Sequence, residues 1–135
     1  MTEAKDRERL VRTVFERLSA RDFHGVVEAL HVDVEFELAY APAGFEMPVR
    51  GRAAMEALLT GVIGAMFEPF RIELSATYAG EDPSIFVAEY HSEATVRHNG
   101  RSYLNRYVGI FRFADDQIVA WREYHNPEAA TAALT

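Results

Sequence analysis

The chain has 135 residues, no cysteine and a formal net charge of −7. One hydrophobic core commonly organises about 100–150 residues, so the length predicts a single domain over residues 1–135. Without cysteine, disulfides, thiolate nucleophiles and cysteine metal sites are excluded. The acidic balance argues against a nucleic-acid partner, because it repels phosphate backbones.

The sequence also carries no signature of a membrane, metal or cofactor site. Its first residues are charged, unlike a secretory signal, and no apolar stretch has the length that crosses a bilayer. It contains no phosphate-binding loop, nucleophile elbow or HExxH pattern. His91 alternates with Glu89 and Glu93, a spacing that metal ligands can use, but exposed charges on an interface face are the better explanation. We therefore expect a cytoplasmic protein without a metal, a cofactor or a membrane partner.

Three segments in the first half have apolar residues at offsets of three and four, the pattern of amphipathic helices. The first covers residues 2–20 and would bury Leu10, Val11, Val14, Phe15 and Leu18. The second, residues 23–30, follows Asp22, whose residue type favours a helix N-cap. The third runs over residues 51–66. The sequence thus predicts three helices.

Residues 32–38 alternate between apolar and polar side chains, which predicts a half-buried strand. Residues 39–50 then predict a long loop of the kind that often covers a binding site. Four further strands are expected over residues 70–78, 85–96, 102–113 and 118–125. Asn99-Gly100 predicts a tight hairpin turn between the second and third of these four strands.

This order of elements predicts an α+β fold in which a curved antiparallel sheet packs against three helices. Helices on one face of a bent sheet enclose a conical pocket of the kind that binds small molecules. On the other face, the strand over residues 102–113 would mix aliphatic residues with arginines: Leu104, Arg106, Val108, Ile110 and Arg112. Such a surface is suited to a second subunit, so we expect a homodimer through this outer face.

Strand alternation decides which side chains enter the pocket. In the last strand Trp121, Glu123 and His125 share a face, and Arg122 and Tyr124 share the other. We expect Glu123 and His125 to be catalytic and an apolar or aromatic metabolite to be the ligand. The expected substrate-binding side chains are Tyr107, Asn105, Trp121, Tyr90, Phe36, Leu38, Val14, Leu58, Phe111 and Tyr103.

Glu123 is the centre of this hypothesis. A carboxyl group among aromatic rings resists ionisation, and its raised pKa suits a general acid or base near neutral pH. His125 titrates in the same range, and Tyr107 or Asn105 could donate hydrogen bonds to a developing oxyanion. The alternatives are a buried ion pair for Glu123, a hydrogen bond to the chain end for His125, and a core position for Tyr107.

The segment FERLSARDFHGVVEALHVDVEFEL, residues 15–38, resembles the nuclear transport factor 2-like superfamily and its SnoaL-like branch. The resemblance implies a cone-shaped, cystatin-like α+β roll that is often dimeric. It also implies a superfamily of ketosteroid isomerases, polyketide cyclases, dehydratases, epoxide hydrolases and members without catalysis.

Three further segments, EDPSIFVAEYHSEA, YLNRYVGIFRF and WREYHNP, are similar to the phenazine biosynthesis A/B proteins. This similarity implies that Glu123 is an active-site acid. The active-site histidine of those proteins falls at Leu58. The polar catalytic positions of the ketosteroid isomerases fall at Val14, Leu38 and Gly109. We therefore expect neither phenazine precursor condensation nor steroid isomerisation.

Together these observations predict a small-molecule enzyme of secondary metabolism that uses cofactor-free acid–base chemistry. Isomerisation, cyclisation and dehydration of a largely apolar metabolite all fit. The alternative is a non-catalytic ligand-binding or dimeric assembly module with the same fold. A third possibility, a structural dimer with a filled core, predicts no cavity.

Overall fold

A computed structural model describes residues 2–135, which form one six-stranded sheet with helices packed on it. The helices are α1 (Thr2–Ser19), α2 (Phe23–Glu28), α3 (Arg52–Leu59) and α4 (Pro127–Leu134). The strands are β1 (Leu30–Leu38), β2 (Val49–Arg50), β3 (Phe67–Ala79), β4 (Ile85–Val96), β5 (Ser102–Ala114) and β6 (Gln117–Tyr124). Their order across the sheet is β2-β1-β6-β5-β4-β3.

The α+β class and the antiparallel meander from β3 to β6 are confirmed, but the sheet as a whole is mixed. Strand β1 runs parallel to β6, with Phe36 beside Trp121 and Leu38 beside Glu123. A parallel pair needs a long crossover between its strands, and here the intervening chain supplies it. The expectation of a purely antiparallel sheet was wrong on this point.

Strand β1 begins earlier than predicted and contains an irregularity. Its pairing with β6 shifts register between Leu30 and Glu35. The shift leaves Val32 60% exposed, whereas Leu30 and Val34 are completely buried. A strict alternation over residues 32–38 had placed Val32 on the buried face, and the irregularity explains why that failed.

The inner face of the sheet carries the hydrophobic core. The predicted apolar face of α1 is buried there through Val11, Val14, Phe15 and Leu18, with Leu10 at its margin. Helix α2 begins as predicted at Asp22, whose Oδ1 accepts the Gly25 N–H at 2.9 Å. These contacts place the helices against the sheet face that also carries Glu123.

The predicted third helix, residues 51–66, is helical over residues 52–66, but it is not α-helical throughout. Helix α3 ends at Leu59, and the chain continues as a π-helical turn from Thr60 to Gly64. The guanidinium group of Arg21 donates to the carbonyl oxygens of Gly64 and Phe67, both at 2.8 Å. This tertiary contact fixes the end of the turn, which the local apolar pattern could not reveal.

The alanine-rich tail forms α4, so the described residues contain four helices rather than the three expected. Asn126 caps α4 by accepting the Glu128 N–H at 3.0 Å, and Pro127 occupies the first turn. Asn99 Nδ2 donates to the Ala133 carbonyl at 2.9 Å, and the Ala133 side chain is buried. The C-terminal helix is therefore docked beside β5.

Candidate functional site

Glu123 lies on the inner face near the end of β6, between Leu38 of β1 and Gly109 of β5. The Tyr90 hydroxyl donates to Glu123 Oε1 at 2.6 Å. Burial raises the pKa of Glu123 from its ordinary 4.5 to about 7, and the Tyr90 hydrogen bond offsets part of that rise. Within residues 2–135 no salt bridge joins this carboxyl to a basic side chain.

Tyr90 is held firmly in its donor position. Trp121 Nε1 donates to the Tyr90 hydroxyl oxygen at 3.0 Å. The Tyr90 ring stacks on Tyr107, with centroids 5.1 Å apart, and packs on Phe15 at 4.6 Å. Burial raises the pKa of Tyr90 well above 10, so its hydroxyl keeps the proton. Trp121, Tyr90 and Glu123 thus form a directed chain of hydrogen bonds.

A second polar cluster lies on the same inner face. The Tyr107 hydroxyl is hydrogen-bonded to the hydroxyls of Ser92, at 2.7 Å, and Tyr103, at 3.3 Å. Asn105 Nδ2 donates to the Tyr103 hydroxyl oxygen at 2.7 Å. Burial raises the pKa values of Tyr103 and Tyr107, so both are hydroxyls at neutral pH. Two mutual hydrogen bonds use two of the three hydroxyl hydrogens, so the cluster can offer one O–H group to a ligand, but it cannot act as a base.

The Asn105 side chain is occupied by contacts within the protein. Its Nδ2 donates to the Asn126 carbonyl at 3.0 Å as well as to Tyr103. Its Oδ1 accepts the N–H groups of Asn126, at 3.0 Å, and Arg106, at 2.8 Å. All four hydrogen bonds available to the amide are therefore made. A role in binding substrate stays a prediction and would require one of these contacts to break.

His125 follows the last residue of β6 and is half-buried. Its Nδ1 is buried without a hydrogen-bond partner among the described residues. Burial lowers the pKa of His125, so the ring is neutral at pH 7. A buried nitrogen without a hydrogen-bond partner is uncommon in proteins. His125 Nδ1 is therefore available to accept a hydrogen bond from a ligand, or to donate one to it, depending on its protonation.

The other predicted lining residues differ in how far a ligand could reach them. Phe36 and Phe111 both pack on Trp121, each at a centroid distance of 5.1 Å. Val14 is completely buried in the core, whereas Leu38 and Leu58 are half-buried. Solvent therefore reaches the Leu38 end of the site, where Glu123 is also half-buried as a residue.

The family model for the SnoaL-like domain matches residues 11–121 of the chain. The chain belongs to the SnoaL-like family. An uncharacterized PhzA/B-like protein, PA3332 of Pseudomonas aeruginosa, is 25% identical over 116 residues, which are 84% of this chain and 79% of that protein. The predicted similarity to the phenazine A/B proteins is thereby confirmed.

Solved structures show that this SnoaL-like domain has the nuclear transport factor 2-like fold. A proposed isomerase from Bacillus subtilis superposes with a TM-score of 0.87 at 23% identity, covering 98% of this chain and 95% of the other. A phenazine biosynthesis-related protein (phzb2) from Pseudomonas aeruginosa gives a TM-score of 0.78 at 17% identity, covering 98% and 83%. At these identities the likeness concerns the fold alone.

Two clefts in the SnoaL-like domain lie away from Glu123. One, of about 220 Å³, is on the outer face near Arg112 and Arg122. The other, of about 420 Å³, lies between α1 and the β5–β6 turn near Arg7 and Phe113. Glu123 lines neither cleft, so the pocket expected around it stays a prediction.

Two absences concern only the part of the chain that the structure describes. Within residues 2–135, none of the helices combines the length and apolar character that a bilayer span requires. Among the side chains of residues 4–135, no three histidines, aspartates or glutamates come together in a group that could hold a metal ion.

Sequence reasoning assigned no role to three residues that shape the site. Gly109 stands beside Tyr90 and Glu123, Ser92 bonds Tyr107, and Asn126 bonds Asn105. A glycine inside a strand often marks a close approach of other groups, so Gly109 did carry a signal. The alternation of β4 also indicates that Ser92 faces inward. The hydrogen-bond partners of Ser92 and Asn126 could not be predicted, because they are distant in sequence.

Proposed function

We propose that this SnoaL-like domain is an enzyme that transfers a proton to or from a small metabolite through Glu123, without a cofactor. The supporting observation is the buried Glu123 carboxyl with a pKa of about 7, hydrogen-bonded by Tyr90 and free of any basic partner in residues 2–135. Near neutral pH such a group exists in both protonation states. It can therefore serve as a general acid and as a general base.

The two oxygens of Glu123 have different roles in this proposal. Oε1 accepts the hydrogen bond from Tyr90. Oε2 makes no hydrogen bond to the described residues, so it is the oxygen that takes up and releases the proton. Because Tyr90 donates throughout, the carboxyl keeps one orientation while the proton on Oε2 comes and goes.

His125 and Tyr107 would assist this transfer. The neutral His125 ring has an unpartnered Nδ1 that can hold a second proton or orient a substrate hydroxyl. Tyr107 would present its hydroxyl to a carbonyl oxygen that gains negative charge. Asn105 suits a supporting role better, since its amide already positions Tyr103 and Asn126.

The inner face also favours a particular class of substrate. The side chains that β4 and β5 bury there are aromatic, small or uncharged, and none is a lysine or arginine. A carboxylate or phosphate substrate would face Glu123 without a compensating cation. We therefore propose a neutral, largely apolar metabolite of secondary metabolism with a carbonyl or hydroxyl group, which is isomerised, cyclised or dehydrated.

Turnover of a metabolite panel tests the proposal. The panel would contain neutral ketones, epoxides and β-hydroxy carbonyl compounds, assayed by mass spectrometry. Glu123→Gln keeps the size and the acceptor oxygen for Tyr90 but cannot exchange a proton. We expect it to lower kcat by at least about 100-fold, the usual contribution of a general acid or base.

Glu16→Gln is the matched control, because Glu16 is an exposed glutamate on α1 whose side chain makes no hydrogen bond in the described residues. It should turn over substrate at the wild-type rate. Full activity of Glu123→Gln on any substrate of the wild type would refute the proposed role of Glu123.

A non-catalytic ligand-binding module is the second candidate. It is favoured by the mutual hydrogen bonds of the Tyr103, Tyr107 and Ser92 hydroxyls, which use two of the three O–H groups and leave one for a ligand without supplying a base. Ligand binding by both wild type and Glu123→Gln, with no product from either, would support this module over the enzyme.

We further propose a homodimer through the outer face. Besides its arginines, this face includes Leu104, Val108 and Ile110 of β5 and their neighbours Val87 and Glu89 of β4. These residues share one side of the β4–β5 pair, and Leu104 is 61% and Val108 37% exposed. Exposed aliphatic side chains on one face of a sheet, here with Arg106 between Leu104 and Val108, can contribute to an association surface. We also propose a cytoplasmic location for the protein, which cell fractionation would test.

A further inference from the structure

Gly109 lies in the middle of β5, where three strands meet at the site. It pairs with Ala88 of β4 on one side and with Glu123 of β6 on the other. Its φ lies outside the left-handed region, so its backbone would accept any L-residue. The reason for a glycine at this position must therefore lie in the space that a side chain would fill.

A β-carbon at Gly109 would collide with the group that bonds Glu123. It would lie 2.7 Å from the Tyr90 hydroxyl oxygen, 2.8 Å from a Tyr90 ring carbon and 2.8 Å from a Phe111 ring carbon. Real β-carbons essentially never approach other atoms this closely. Even the smallest side chain would have to move one of these rings or the strand itself.

The Tyr90 ring has little freedom to move aside. It is 1% exposed, stacked on Tyr107 and packed against Phe15, while Phe111 is completely buried. Close-packed interiors absorb such insertions only by local rearrangement. A methyl group at position 109 would therefore push the Tyr90 hydroxyl away from Glu123 Oε1.

We propose that Gly109 is a positioning residue: because it has no side chain, the Tyr90 hydroxyl can lie along β5 and hydrogen-bond Glu123 Oε1. Gly109 would not touch the substrate and would act through Tyr90 alone. This inference rests on the proposed function of Glu123. It adds that the absence of a side chain on the neighbouring strand sets the orientation and the proton affinity of the carboxyl group.

The test measures the protonation of Glu123 without any substrate. Carbon-13 NMR of carboxyl-labelled protein gives the pKa, and Glu123→Gln identifies the signal. Loss of the hydrogen bond in Tyr90→Phe should raise the pKa of Glu123 by about 1–2 units. Gly109→Ala should raise it by a similar amount. The double variant Gly109→Ala/Tyr90→Phe should equal Tyr90→Phe, since there is no second hydrogen bond to lose.

Gly80→Ala is the matched control, because a β-carbon at Gly80 meets nothing within 4 Å and its φ lies outside the left-handed region. It should leave the pKa of Glu123 unchanged. A folded Gly109→Ala protein with the wild-type pKa would overturn the proposal, as would a double variant whose pKa rises well beyond that of Tyr90→Phe.

If Gly109→Ala does not fold, the test uses Tyr90→Ala, which removes the Tyr90 ring. If Gly109→Ala/Tyr90→Ala folds as well as Tyr90→Ala alone, the collision is with Tyr90 and the proposal holds. If only the double variant is unfolded, the collision is with Phe111 or the backbone and the proposal fails. The catalytic proposal has its own readout, turnover by Glu123→Gln, so the failure of either is recognised separately.

Discussion

At the scale of single residues, the buried carboxyl of Glu123 suits proton transfer but lowers the folding stability when it is ionised. Its carboxyl is buried with one hydrogen-bond donor, and its pKa rises to about 7. In the unfolded chain the same group titrates near its ordinary value of 4.5. Between these two values the folded protein binds more protons than the unfolded one. Folding stability therefore falls as the pH rises from about 4.5 to about 7.

This linkage predicts that Glu123→Gln stabilises the protein at pH 8. The shift from 4.5 to about 7 corresponds to a cost of about 3 kcal/mol for the ionised carboxyl, which glutamine does not bear. Urea unfolding at pH 4 and pH 8 would show a smaller contribution of this position at the lower pH. Equal stability of wild type and variant at pH 8 would contradict the raised pKa.

At the scale of elements, α4 and β6 are joined through Asn105. Its amide holds both the N–H and the carbonyl of Asn126, the residue between His125 and α4. Asn105 is 4% exposed, so these bonds are protected from water. The same contacts fix the backbone that carries His125. Asn105 thus links the position of a predicted catalytic side chain to the docking of the last helix.

Asn105→Ala should loosen α4 and destabilise the fold by about 1–3 kcal/mol, because it leaves buried polar groups without partners. Amide hydrogen exchange over residues 126–134, together with urea unfolding, measures both effects. Thr131→Ala, an exposed change on the same helix, serves as the control. Unchanged exchange in α4 would show that Asn105 does not hold it.

Several elements follow from local pattern alone. The buried face of α1 obeys a helical period, and β4 and β5 alternate almost without fault between buried and exposed residues. The irregularity in β1, the π-helical turn after α3 and the docking of α4 depend on partners far along the chain. Local periodicity contains no information on those partners, so these features were missed.

At the scale of the whole molecule, the outer face is the side of the β4–β5 pair on which large aliphatic side chains stay exposed. Leu104 and Val108 remain exposed, and arginines and glutamates surround them. A stable dimer usually buries about 800 Å² on each partner. The outer face of β4 and β5 offers two long neighbouring strands for such a contact.

Leu104→Asp should shift the proposed dimer towards monomer, since the new charge would be buried against the second copy where Leu104 buries an aliphatic side chain. Analytical ultracentrifugation at several concentrations measures the shift. Val32→Asp is the control, because Val32 is exposed to the same degree, 60% against 61%, but lies on β1. A wild type that is monomeric at all concentrations would refute the dimer.

Periods of two and 3.6 residues reflect local backbone geometry. The residue pattern therefore predicted the α+β class, the meander of β3 to β6 and the inward direction of Glu123. The hydrogen bond of Tyr90 to Glu123, the parallel pairing of β1 with β6 and the space that Gly109 leaves for the Tyr90 hydroxyl are visible only in the folded protein. Those facts depend on strand register and on ring packing across three strands. Residues that are far apart in the chain acquire such relations only when the sheet forms.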